Sequence, residues 1–281
     1  MSIKIVVDSA SDITFDESKE LGLSFMPLTI FFGENEYKDN IDITNSQFYD
    51  FLEESEMLPK TSQVTPYAYE QEFQKIVDNG DIAIAITLSS DLSGTYSSAK
   101  IAAERFPGKV FVVDSKSGCI GEKILVLYAL ELVKANLDPE EIVKKLEEKK
   151  EKISIYFLLN TLENLYKGGR LSKMSAIAGT ILSVKPIITI DNGFVVLAGK
   201  ARGFKKGITM LNKMAESFEF DEGMPYMLGY SGNDTALLNQ YISKDNTVFG
   251  KKLDEFPVSM MGSTIGTHIG PGSIGIAFFK K

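Results

Sequence analysis

Three apolar runs in the first half of the chain each end in a polar cluster, and this restricts the fold more than any other feature of the sequence. Residues 3–7 are apolar apart from Lys4 and end in Asp8-Ser9-Ala10-Ser11-Asp12. Residues 82–86 end in Thr87-Leu88-Ser89-Ser90-Asp91-Leu92-Ser93-Gly94-Thr95, and residues 110–113 end in Asp114-Ser115. Continuous apolar runs of this length suit strands buried on both faces, and the loops that follow such strands carry function. Helical patterns at 47–54, 67–78 and 96–104 are interleaved with them. The alternation predicts βα units and a mostly parallel sheet flanked by helices.

Local signals fill in this frame. Thr44 precedes the pattern at 47–54 as an N-cap, and Thr65-Pro66 reads as an N-cap followed by proline at the first helical position. Residues 25–32 form a second β-prone run, with Tyr37 opening a return strand, and residues 59–66 read as a polar loop. Residues 118–133 are apolar all round, which predicts a buried helix, whereas the Glu and Lys of 140–150 suit a solvated one.

After residue 152 the pattern changes. A strand at 153–159 and a short helix at 162–166, stopped by Gly168-Gly169, lead into a helix of small and apolar residues at 172–182. Two β-prone runs, 186–190 and 194–198, flank Asp191-Asn192-Gly193, a strong hairpin signal. A helix at 204–218, a strand at 226–230, a helix at 235–243 and strands at 257–261 and 274–279 follow, the last two joined by a loop. The expected architecture is α/β. Residues 1–152 form an α/β domain with a mostly parallel sheet, and residues 153–281 an α+β domain with a mixed or antiparallel sheet.

Composition excludes some functions. The 281 residues carry a formal charge of −8, which argues against a protein that coats nucleic acid. A single cysteine, Cys119, permits no internal disulfide and fits a reducing compartment. With one histidine, His268, beside that one cysteine, no zinc site of the usual nitrogen and sulfur type is expected. The opening Met1-Ser2-Ile3-Lys4 lacks the pattern of a signal peptide. Residues 257–279 are uncharged, but two prolines and five glycines argue against a spanning helix. A cytoplasmic protein is expected.

The chemistry-bearing groups each allow two readings. At 87–99 hydroxyls and unpaired N–H groups gather where a strand hands over to a helix, which suits an anion, and Gly94 permits close approach. The alternative is that Ser93 or Thr95 only caps that helix. Thr61 and Ser62 are either turn residues or part of the same site. His268 lies in a glycine-rich stretch, 262–272, that either admits a ligand or lets the ring satisfy a local hydrogen bond. Arg170, after Gly168-Gly169, is an exposed helix-end cation or one fixed over an anion. Lys200, Arg202, Lys205 and Lys206 are a solvated helix start or a docking patch for an acidic partner. A serine hydrolase built from Ser93, His268 and Asp8 or Asp114 lacks the Gly-x-Ser-x-Gly elbow.

Six of these stretches together resemble the DegV family, whose characterised bacterial members are the fatty acid-binding subunits (FakB) of fatty acid kinase. They are Asp8-Ser9, Thr61-Ser62-Gln63, Leu92-Ser93-Gly94-Thr95-Tyr96, Asp114-Ser115, Gly168-Gly169-Arg170 and Gly266-Thr267-His268-Ile269-Gly270-Pro271-Gly272, in family order across nearly the whole chain. The resemblance implies two domains that enclose one long-chain fatty acid between them. Ser93 would contact its carboxylate. Thr61, Ser62, Gly94, Thr95, Thr267 and His268 would complete the network, with Arg170 close by or aiding phosphorylation. A separate ATP-dependent kinase subunit would phosphorylate the bound acid, and the basic patch of Arg202, Lys205 and Lys206, read from its charge alone, is the expected place for it to dock. The chain itself would be a carrier rather than an enzyme, with no cofactor, no metal and no nucleotide site, and would touch membrane surfaces transiently for lipid exchange. Helices 118–133 and 172–182 would wall the tail. A hydrolase or small-carboxylate transferase using Ser93 and His268, and a regulatory lipid-binding module, are the rival expectations.

Overall fold

The computed structural model describes residues 2–55, 57–171, 184–243 and 246–281. Its first part runs β1 (Ile3–Asp8), α1 (Phe15–Leu21), β2 (Ser24–Met26), β3 (Thr29–Phe32), β4 (Asn35–Lys38), α2 (Asn45–Glu54), β5 (Lys60–Ser62), α3 (Pro66–Asp78), β6 (Ile82–Thr87), α4 (Thr95–Ala103), β7 (Val110–Asp114), α5 (Cys119–Lys134) and α6 (Pro139–Lys150). The second runs β8 (Ile153–Leu158), α7 (Glu163–Lys167), β9 (Val184–Asp191), β10 (Phe194–Arg202), α8 (Gly203–Ala215), β11 (Met227–Ser231), α9 (Ala236–Tyr241), β12 (Thr247–Val248), β13 (Lys251–Lys252), β14 (Val258–Met260), α10 (Ser263–Ile269) and β15 (Ser273–Phe279). The helix expected at 172–182 falls outside the described residues, and the expected domain boundary at 152 falls between α6 and β8.

The fold is α/β. A four-stranded parallel sheet, in the order β2-β1-β6-β7, forms the first part. All six residues of β6 are buried, because helices cover both faces of this sheet. The second part is a six-stranded sheet, β10-β9-β8-β15-β11-β14, antiparallel except between β11 and β14. Its β9–β10 turn has Asn192 and Gly193 both at positive φ, 48° and 86°, as an Asn-Gly hairpin demands. Thr44 closes a capping box with Gln47, and Thr65 caps α3 ahead of Pro66.

Helix α5 lies between the two sheets, which is why its apolar side chains can face both ways, and even its Glu122 and Lys123 are buried. Its Ile120, Ile124 and Leu125 share one continuous core with Ile5 and Val7 of β1, Ile84 of β6, Ile155 and Phe157 of β8 and Phe279 of β15.

Three local expectations are corrected. The run at 25–32 is two strands in different sheets, because Pro27 between them has no N–H to continue a ladder. The stretch at 59–66 is not only loop, since β5 pairs antiparallel with β3 and sets Thr61 opposite Ile30. The expected loop between β14 and β15 holds helix α10. Its Gly266 is required by packing, because a Cβ there would meet Phe48 Cε1 and the Tyr49 hydroxyl of α2, each at 2.7 Å. Helix α10 thereby carries residues of the second part onto the first.

Candidate functional site

In the parallel sheet the chain steps from β1 to β2 on one side and from β6 to β7 on the other. The carboxyl ends of β1 and β6 therefore flank a topological switch point, where open α/β sheets bind ligands. Asp8, at the end of β1, is buried and accepts from Ala10 N at 3.0 Å and Leu88 N at 2.8 Å, which ties the two loops together. Burial raises the Asp8 carboxyl to about 7, against the pull of these two backbone bonds.

A cavity of about 310 Å³ opens beside these loops. Its polar end carries Thr61, Ser62 and Gln63 around β5, Ser93 and Gly94 before α4, Arg170 and His268. Its remaining walls are almost wholly apolar, with Leu88, Leu92, Phe157, Leu165, Ile188, Ile190 and Val195 prominent among them. Helix α5 contributes only Cys119 of its own residues, with Gly118 just before it. Of the stretch 118–133, expected as a wall, only the start reaches the cavity, because the rest of α5 is packed between the two sheets, and most of the apolar lining comes from β8, β9, β10, α10 and the loops after β6.

The polar end is built on α10. His268 Nε2 lies 3.0 Å from Thr61 Oγ1. Nδ1 is buried without a hydrogen-bond partner and packs over Gly168, where a Cβ would come within 2.5 Å of it. Burial first, and the Arg170 charge second, hold the imidazole down to about 4, so the ring is neutral near pH 7. A proton on Nδ1 would be a buried donor with no acceptor, whereas a proton on Nε2 is donated to Thr61 Oγ1. That tautomer leaves the Thr61 hydroxyl free to donate into the cavity.

Ser93 is positioned by its neighbour. Its Oγ accepts from Thr95 N at 3.2 Å and lies 3.0 Å from Thr95 Oγ1. Gln63 crosses over Gly94 to donate to Ser98 Oγ at 2.9 Å, and any Cβ at 94 would collide with its side-chain amide. Arg170 is held by two carbonyls, with Nε donating to Leu92 O at 3.3 Å and Nη1 to Gly168 O at 2.8 Å. No carboxylate pairs with it among the described residues. Among the described residues a cation held only by carbonyls thus stands beside neutral donors.

Thr61, Ser62, Ser93, Gly94, Arg170 and His268 therefore meet around one cavity. Thr95 does not line it and stands behind Ser93. Thr267 does not line it either, because its hydroxyl bonds back to Ser263 O at 2.9 Å within α10. The hydrolase triad is not assembled. Nε2 of His268 engages Thr61 rather than Ser93, Asp8 is committed to Ala10 and Leu88, and Asp114 accepts from Ser90 and Lys116 backbone N–H groups. Thr264, which lines the cavity, was not anticipated, nor was buried Asp39, whose Oδ2 accepts from Thr264 N at 3.2 Å and Thr264 Oγ1 at 2.6 Å. Neither residue carries a local signal in the sequence.

Elsewhere, Lys205 and Lys206 are exposed on α8 and border a surface depression with Lys213, while Arg202 is the N-cap of that helix. Among the described residues no cluster of His, Cys, Asp and Glu could hold a metal, and no helix is long and apolar enough to cross a membrane.

The model of the DegV family matches residues 2–281. The chain belongs to the DegV family. A DegV domain-containing protein of Caldanaerobacter subterraneus is 34% identical over 286 residues, covering 99% of each chain. Among solved structures, a fatty acid-binding DegV family protein from Thermus thermophilus is 31% identical with a TM-score of 0.85, covering both chains fully. DegV of Bacillus subtilis, a fatty acid binding protein, is 32% identical with a TM-score of 0.82, again over both whole chains.

Proposed function

We propose that this chain binds a long-chain fatty acid, tail among the apolar walls and carboxylate at the polar end, and presents that carboxylate to a separate kinase subunit. The observation that carries the reading is the junction of an apolar cavity with Thr61, Ser93, neutral His268 and an Arg170 that has no carboxylate partner among the described residues. Fatty-acid binding by DegV relatives of the same fold supports it.

The energetics agree. Burial gains about 0.8 kcal/mol per methylene, so a tail of ~15 methylenes gains roughly 12 kcal/mol, against the ~4–15 kcal/mol lost on association. A carboxylate buried without partners would be expelled or protonated. Hydroxyl donors and a half-buried guanidinium satisfy it and leave an oxygen to attack the terminal phosphoryl group of ATP on the kinase, with ADP leaving. In this reading the chain is a carrier that works in the cytoplasm, where Cys119 stays a thiol, and residues 1–152 and 153–281 each supply both head-group and tail contacts, with Thr61 and Ser93 from the first facing Arg170 and His268 from the second.

The direct test is mass spectrometry of lipid extracted from freshly purified protein, where a stoichiometric fatty acid is expected. Ser93→Ala and Thr61→Ala should each weaken fatty-acid binding by about tenfold, the worth of one hydrogen bond to a charged group, with unchanged melting temperature. Wild-type affinity in both variants would remove the carboxylate from this end of the cavity.

Arg202, Lys205 and Lys206 are the proposed kinase contact. Lys205→Glu should lower kcat/KM for phosphorylation by about tenfold at low salt while bound lipid is retained, because a rim charge acts chiefly on association. Equal kinetics at every ionic strength would place the kinase elsewhere.

A further inference from the structure

We propose that Phe157, seated on Gly275, sets the upper length of the acyl tail that the cavity accepts. The proposal rests on the fatty-acid reading and adds to it a residue that determines specificity.

The sheet register carries the argument. Phe157 of β8 stands opposite Ile188 of β9 on one side and Gly275 of β15 on the other, and Gly275 stands opposite Gly229 of β11. One transverse row of the sheet face thus reads Ile188, Phe157, Gly275, Gly229. Directly paired residues share a face, so this row runs outward from the cavity wall. Ile188 and Phe157 line the cavity and the two glycines do not. Side chains from elsewhere fill the hollow above each glycine. Over Gly229 these are Ile120 and Met261, each 3.1 Å from where a Cβ would be. Over Gly275 it is the Phe157 ring itself, whose Cδ1 would lie 2.1 Å and Cε1 2.3 Å from a Cβ at that position. The ring therefore leans off its own strand, occupies the place of a missing side chain, and is the last cavity-lining group in the row.

Phe157 is 3% exposed, so it forms an inner wall and not the mouth. The place the ring fills over Gly275 adjoins the cavity that Phe157 lines on one side, and on the other the neighbouring Gly229 is covered by Ile120 and Met261. Shortening Phe157 extends the cavity over Gly275 without opening it to solvent. In a tightly packed interior that added volume is available to the ligand, because the backbone beneath it cannot rise to fill it.

The test uses the full chain as wild type, Phe157→Leu and Phe157→Ala, with saturated fatty acids from dodecanoic to eicosanoic acid competing against a fluorescent fatty acid. Each further buried methylene tightens binding about fourfold, so affinity should climb with length and then level off. In the variants the levelling point should move to longer chains, and an acid two methylenes beyond the wild-type limit should gain about fifteenfold relative to wild type. The lipid carried from the expression host should lengthen in parallel. Ser93→Ala, by contrast, should weaken all lengths equally. A levelling point that stays in place in the variants overturns the role of Phe157 and leaves the fatty-acid reading intact. Wild-type protein that binds no member of the series overturns both. If Phe157→Ala does not fold by circular dichroism, the levelling point of Phe157→Leu, which keeps most of the packing, decides between the same outcomes.

Discussion

Asp39→Ala is expected to destabilise the protein by about 3–5 kcal/mol and to abolish fatty-acid binding well below its unfolding temperature. Asp39 is fully buried, and its Oδ2 accepts both the backbone N–H and the hydroxyl of Thr264, while Oδ1 accepts from Asn40 Nδ2 at 3.0 Å. Thr264 is in the first turn of α10, and His268 is one turn further along the same helix. The carboxyl is thus the clamp that fixes the start of the helix carrying the head-group histidine. Alanine leaves a buried N–H and a buried hydroxyl at Thr264 without their acceptor, each costing about 1–3 kcal/mol. Burial raises the Asp39 carboxyl, against the bonds from Thr264, so part of its charge is already costly in the folded state. Asp39→Asn keeps an acceptor and carries no charge, and should cost less than half as much as alanine. Chemical denaturation of the two variants measures both values. An alanine variant within about 1 kcal/mol of wild type, with His268 and its ligand affinity unaltered, would show that α10 is held by its packing on α2 alone.

The parallel sheet was legible because its strands are buried on both faces and so read as unbroken apolar runs. The β9–β10 hairpin was legible from Asn192-Gly193, whose positive φ values few other pairs adopt. Helix α10 was not. Its glycines at 262, 266 and 270 have the look of a loop, and the reason for Gly266 is contact with Phe48 and Tyr49, more than 200 residues away in the chain. The cavity has the same character. Thr61 and His268 are separated by 207 positions, and only the packing of α10 on α2, β3 and β5 brings them together. No periodicity encodes such a meeting, so each residue on its own kept a bland alternative and the family motifs, taken in order, carried the site. Asp39 shows the limit most clearly. Between Lys38 and Asn40 it looks like any polar turn residue, and its importance follows only from being buried beneath a helix end.

Acidification should cost the unliganded protein about 3 kcal/mol through His268 alone. The ring titrates near 6.5 in an unfolded chain and is held to about 4 in the fold, by burial first and by Arg170 second. Between those values the unfolded state binds a proton that the native state refuses. Stability conferred by the neutral ring is therefore complete above about pH 6.5, declines as pH falls through the window, and is gone below about pH 4. Asp8 and Asp12 work the other way. Burial raises both to about 7, so between the ordinary carboxylate range and pH 7 the native state holds protons that the unfolded state releases, and their contribution grows as pH falls. A wild-type profile alone mixes these opposing slopes, and the histidine is isolated by difference. His268→Gln removes the titrating ring while retaining a side-chain donor that can face Thr61. Wild-type stability minus that of His268→Gln should be flat above pH 7 and fall by about 3 kcal/mol between pH 7 and pH 4. A bound carboxylate beside Arg170 neutralises the charge that holds the ring deprotonated, so the same difference should fall less steeply with fatty acid bound. Equal slopes in wild type and variant would mean that the ring is already open to water, and the tautomer that frees the Thr61 hydroxyl for the head group would lose its physical basis.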